Sequence, residues 1–143
     1  MKTENYTTLE QAERLVRNGI DPNTSDLSYQ NICYKGIGYT NKFEPTITPY
    51  TAAVESKEGL EREYMEFYQK TNNVEGLDSV CAWEVKPCWS IGALIDFIPY
   101  CCVKSDPICE RYYVSCGSQE TDSDALVGAL VEMVCILKER KIL

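Results

Sequence analysis

Near its end the chain carries a run from Asp124 to Leu137 that has no proline and only two charged residues, Asp124 and Glu132. Leu126, Leu130, Met133, Val134 and Leu137 recur at helical spacing on one face. Val127, Val131 and Ile136 widen that face until almost no polar side remains. A helix apolar nearly all round must be surrounded by neighbours on several sides. A bilayer span needs about 20 apolar residues, and this run meets Lys138-Glu139-Arg140-Lys141 before that length is reached. The spacing therefore predicts the core helix of a small domain, capped by Asp122 or Ser123, with its basic residues at the negative end of the helix dipole.

The best-punctuated element lies at the other end. Thr8 followed by Gln11 makes a capping box, Leu9, Ala12, Leu15 and Val16 form a stripe, and Gly19 with Ile20 supplies a helix stop. Asp21-Pro22-Asn23-Thr24 then reads as a turn. Further strands are expected at Ile32–Tyr39, at Tyr50–Val54, at Val80–Val85 where Pro87 would close it, and at Arg111–Cys116. A second helix is expected from Ser56, as its cap, to Thr71. Leu60, Tyr64, Phe67 and Tyr68 would face the core, and Glu58, Glu61, Arg62, Glu63 and Glu66 would face water. A third short helix falls in Cys88–Pro99, with Ser90 as N-cap, Trp89 stapling its entry, and Ile91, Leu94, Ile95 and Ile98 buried. Tyr100 to Ile108 and Gly117 to Ser123 read as loops. The fold class is α+β: one domain, 1–143, with a small antiparallel sheet packed by about four helices.

A chain of 143 residues can bury roughly two thirds of its unfolded surface. Its net charge is −8, from 14 basic and 22 acidic residues. That disfavours nucleic-acid backbones and anionic membrane surfaces, which need clustered Lys and Arg. There is no histidine, which removes the commonest general base, the commonest metal ligand and every Ser/His or Cys/His nucleophile pair. The reading leans away from an enzyme and expects no cofactor. The N-terminus lacks an apolar signal segment, so the expected compartment is the cytoplasm and the eight cysteines are expected as reduced thiols.

Those cysteines are the alternative site. Cys81, Cys88, Cys101/Cys102, Cys109 and Cys116 crowd one region, and four thiolates could hold zinc without histidine. Yet the recurring spacing, six residues between 81 and 88, 102 and 109, and 109 and 116, is looser than the usual zinc knuckle. A metal or redox reading would rest on Cys81, Cys88, Cys102, Cys109 and Cys116. A nucleophilic thiol would need a basic neighbour, as Cys102 has in Lys104 and Cys109 in Arg111. Trp89 and Ser90 are candidates for a recognition surface. The carboxylate pairs Asp122/Asp124 and Glu61/Glu63 have capping and solubility as sufficient reasons to exist. The ten tyrosines lack the positive groove that base stacking needs. Lys35-Gly36-Ile37-Gly38 lacks the spacing of a phosphate loop.

Three segments carry a family resemblance: Thr8-Leu9-Glu10-Gln11 with Gly19-Ile20-Asp21-Pro22 and Asp26; Pro87-Cys88-Trp89-Ser90-Ile91-Gly92-Ala93-Leu94 with Pro99; and Asp124-Ala125 with Glu132-Met133-Val134-Cys135. Together they resemble an uncharacterised family of short proteins from gut Bacteroidales genomes and their phages and mobile elements. Its most specific part is Trp-Ser-x-x-Ala-Leu, and 41–79 has no counterpart. The resemblance implies a bacterial or phage cytoplasmic setting and assigns no reaction, substrate or catalytic residue. The leading expectation is a non-enzymatic module that binds a protein partner or itself through an apolar surface. The rival is a zinc-binding or redox-active thiol protein. A third reading, an acidic decoy, needs the glutamates of 56–71 to form one stripe with the loop 119–124.

Overall fold

The computed structural model describes residues 4–34, 38–39, 44–71 and 80–143; for 32–34, 38, 39, 44, 60, 61, 63–71 and 80–83 it describes the backbone alone. The chain begins with helix α1 (Leu9–Arg17) and a 3-10 turn at Pro22–Thr24. Then come strands β1 (Leu27–Tyr34), β2 (Gly38–Tyr39) and β3 (Glu44–Thr46), and the long helix α2 (Tyr50–Thr71). Strand β4 (Val80–Cys88) and the short helix α3 (Ile91–Ile95) precede the meander β5 (Cys102–Asp106), β6 (Arg111–Cys116) and β7 (Gln119–Ser123). Helix α4 (Leu126–Glu139) follows. The class is α+β, with two small antiparallel sheets instead of the single one expected.

In the first sheet β1 is central. It pairs with β4 along one edge and with β2 and β3 along the other. The second sheet runs β5-β6-β7, and α4 lies across β6 and β7 while also touching α1 and α3. Helix α2 packs on β4 and β1.

Both termini of α1 are set by local chemistry. The Thr8 hydroxyl accepts from the Gln11 amide at 3.1 Å and the Gln11 side chain accepts from the Thr8 amide at 2.9 Å, which closes the capping box. At the other end Ile20 N donates to Leu15 O at 3.1 Å and Gly19 N to Val16 O at 3.0 Å. Gly19 has φ +90, so this is a Schellman stop in which Ile20 and Leu15 share the core.

The buried core is built on α4. Val127, Ala129, Leu130, Val131, Met133, Val134, Cys135 and Leu137 are all buried, joined by Leu15 of α1, Leu94 of α3, Val114 of β6 and Trp89. The helix starts later than the sequence suggests. Its N-cap is Ala125, with no side-chain cap. Ser123 Oγ accepts from Ala125 N at 3.3 Å, and Asp122 is held in β7 by Arg111. Thr121 instead ties β7 to the helix, its hydroxyl donating to Ala129 O at 2.7 Å in a buried position.

Several expectations are corrected. Tyr50–Val54 is the first part of α2, whose opening turn closes on Pro49 (Ala53 N to Pro49 O, 2.9 Å); Ser56 is inside that helix, not its cap. The strand expected at Ile32–Tyr39 begins earlier, at Leu27, and ends at Tyr34, and Gly38–Tyr39 pairs back on it antiparallel as β2. Pro87 does not close β4, because it lies within an edge strand opposite Ser28, where a missing N–H is tolerated. The third helix is confined to Ile91–Ile95. Both segments read as loops, 100–108 and 117–123, contain strands that pair with β6. The inward Leu60, Tyr64, Phe67 and Tyr68 and the outward Glu61, Glu63 and Glu66 expected along that helix lie outside the described side chains, whereas Arg62 is exposed as expected. Among the described residues no helix is long and apolar enough to cross a membrane.

Candidate functional site

Trp89 was a candidate for a recognition surface, and it is fully buried. Its amide donates to the Thr7 hydroxyl at 3.1 Å, and its indole N–H donates to Thr24 Oγ1 at 3.1 Å. A buried indole needs such a partner, so Trp89 is an internal anchor. Ser90 caps α3 by accepting from Ala93 N at 3.2 Å. The Asp26 carboxylate accepts from Ser90 N at 2.9 Å and also from the Ser90 hydroxyl. Ser90 borders an open depression of about 520 Å³ with Thr24, Asp26, Asp96 and Phe97. Its polar atoms are committed to the cap. A second depression of about 340 Å³, between α1 and β4, is lined by Leu9, Ala12, Val16 and Pro87 and rimmed by Glu13, Arg17 and Lys86.

Among the described side chains, Cys88, Cys102, Cys109 and Cys116 do not gather at one point. Cys88 is buried at the end of the first sheet, its sulfur 3.6 Å from Thr7 O and 3.7 Å from Thr7 Oγ1. Burial pushes its thiol up to about 11, which makes it unreactive at neutral pH. Cys102, Cys109 and Cys116 belong to the second sheet and its turn. The Cys81 side chain lies outside the described ones. Among the described residues no three His, Cys, Asp or Glu side chains are arranged to hold a metal ion. Cys109 is not activated by Arg111. Its thiol is pushed up by the hydrogen bond and charge of Asp106, and Arg111 is bound to Asp122 at 2.5 and 3.0 Å. Of the carboxylate pairs, Asp122 is thus an ion-pair partner, and Glu61/Glu63 lie outside the described side chains, as does most of the acidic stripe of 56–71.

The surface that stands out is one the sequence reading took for a loop. β5 pairs with β6 alone and so leaves its second edge open among the described residues. Cys102 to Ser105 are all exposed. Two large apolar side chains bracket the strand, Tyr100 and Ile108, each 95% exposed, and Val103 between them is 40% exposed. The backbone at both ends is shaped for this display. Tyr100 has φ +53 and Glu110 has φ +52, conformations that non-glycine residues adopt rarely. The Asp106 carboxylate accepts from Ile108 N at 3.0 Å and Cys109 N at 3.2 Å. Those bonds hold its carboxyl below the usual range and lock the turn that projects Ile108.

Register fixes which side chains share a face. Val103 lies opposite Val114, which is buried under α4. Lys104 and Asp106, opposite Tyr113 and Arg111, therefore point to the other face, away from α4. Sequence reasoning missed β5 because a strand exposed on both faces has no apolar alternation to detect. Asp106-Pro107 between two β-prone segments was the available signal of a hairpin.

No family model, no curated protein and no solved structure matches this chain.

Proposed function

We propose that this protein is a binding module that works by strand addition at the free edge of β5, and that the added strand is the β5 of a second copy. The observation that carries the reading is the bracketed edge: a strand paired on one side only among the described residues, with Tyr100 and Ile108, both 95% exposed, at its two ends. Unpaired strand edges are templates for another chain, and exposed apolar residues beside them add area to the contact.

Charge selects the second copy. An antiparallel pair with Ser105 on the two-fold axis sets Lys104 opposite Asp106 of the second copy, and does so twice. Each opposite-charge cross-strand pair contributes roughly 0.2–1 kcal/mol. The same register sets Val103 opposite Pro107 and brings Ile108 over Cys102. The edge of β7 is unsuited, since its exposed residues, Glu120 and Asp122, are both acidic and would repel their own copies. The charge of −8 on each chain opposes association at low ionic strength. The resulting dimer is concentration-dependent and is strengthened by moderate salt. The resemblance drawn from the sequence supports a bacterial or phage setting for it.

Analytical ultracentrifugation over a hundredfold range of concentration tests this. A monomer–dimer equilibrium that Lys104→Glu weakens supports the reading. A protein that stays monomeric at every concentration, or a dimer that ignores Lys104→Glu, refutes it.

A further inference from the structure

The base of the β5–β6 hairpin carries two cysteines whose placement the edge reading does not use. The ladder ends at the pair Cys102–Ser115, and one further step in the same register sets Cys101 opposite Cys116. Directly opposed residues in an antiparallel pair have Cα atoms about 4.5–5.5 Å apart, inside the span of about 4.4–6.8 Å that a disulfide bridges. Both thiols are half-buried and both pack against the core under α4, so they lie on the same face of the sheet. Cys102, their neighbour in sequence, alternates to the opposite, exposed face. The Cys116 thiol donates to Pro99 O at 3.0 Å, which places its sulfur beside the segment 99–101. Burial raises the Cys101 thiol, and the nearby Cys102 and Cys116 raise it further.

We propose that Cys101 and Cys116 are an oxidation site, a dithiol that closes reversibly to a cross-strand disulfide by exchange with a low-molecular-weight disulfide such as oxidised glutathione. One of the two thiols loses its proton to solvent and its sulfur attacks the glutathione disulfide. The S–S bond of the reagent breaks, one glutathione thiolate leaves and is protonated, and a mixed disulfide remains. The second cysteine, deprotonated in turn, attacks the protein sulfur of that mixed disulfide and expels the second glutathione. The protein dithiol is oxidised by two electrons and one glutathione disulfide is reduced to two thiols. Closure replaces the bond from Cys116 to Pro99 with a covalent tie across the bend at Tyr100. It thereby fixes the entry to β5.

The test is oxidation of the purified, reduced protein with oxidised glutathione, followed by alkylation in denaturant, intact mass and peptide mapping. The expected product has lost about 2 Da and two alkylation sites, carries one bridge between the peptides containing Cys101 and Cys116, and melts roughly 5–10 °C higher. Cys101→Ser and Cys116→Ser each abolish the bridge. The double variant Cys102→Ser/Cys109→Ser, altered only at exposed positions, keeps it, and so tests the pair without disturbing the core. A bridge that vanishes in that double variant, a glutathione adduct that never resolves, or eight thiols still open to alkylation overturns the proposal.

Discussion

Thr7→Val is a substitution whose cost follows from a few hydrogen bonds. Thr7 is fully buried. Its amide donates to Trp89 O at 2.9 Å, and its hydroxyl accepts from Trp89 N at 3.1 Å. Its carbonyl accepts from the Tyr29 hydroxyl at 2.7 Å. Valine keeps the shape of threonine and both backbone bonds, but removes the one acceptor of the Trp89 amide. A buried donor left without a partner costs about 1–3 kcal/mol, more than the net worth of the bond itself. Exchange of a hydroxyl for a methyl offsets little of this, since the pocket is built around polar atoms. With a urea slope of about 2 kcal/mol/M the unfolding midpoint falls by about 0.5–1.5 M. Tryptophan fluorescence follows the transition, because Trp89 moves from a dry core to water. A Thr7→Val protein that unfolds at the wild-type midpoint would refute the claim that this hydroxyl completes the Trp89 anchor.

Two further outcomes follow from the fold. Gly128→Ala gains about 1 kcal/mol in helix propensity, but its Cβ would lie 2.5 Å from Ser123 Oγ and 3.2 Å from Ser123 Cβ. Overpacking wins, so thermal melts show a net loss that turns into a gain in a Ser123→Gly background. For Cys88 the folded thiol sits at about 11 against an unfolded value near 9. The folded state holds the proton more tightly, so this contribution is complete below about pH 9 and is lost as pH rises towards about 11, up to about 2–3 kcal/mol. Cys88→Ala flattens that part of the stability profile; an unchanged slope between pH 9 and 11 counts against the burial account.

What the sequence disclosed was whatever is decided locally. The ends of α1 are set by residues within five positions of one another, and Thr8, Gln11, Gly19 and Ile20 do what their types suggest. The core helix was legible because its apolar face is continuous. Its start was not, because the chain pairs as β7 up to Ser123, which withholds Asp122 and Ser123 from the capping role. The start of α2 was hidden by β-branched and aromatic residues at Tyr50, Thr51 and Val54, which favour strands in isolation but here follow Pro49 into a helix. β5 and β7 take their place by pairing with β6, and neither carries an apolar alternation that would announce a strand by itself. The candidate site fell in one of these gaps. Trp89 and Ser90, which looked like a surface, are an anchor and a cap. The exposed edge lay in a stretch without periodicity.

The central claim is that β5 pairs with β5 of a second copy about Ser105. Ser105→Cys, in a background with Cys102→Ser and Cys109→Ser, tests it most directly, because the new thiol would sit on the two-fold axis. Mild oxidation is expected to give a covalent dimer in high yield. Lys104→Cys in the same background, one step off the axis, is expected to give little. Equal and low yields from both positions would contradict the register and, with it, the assembly through β5.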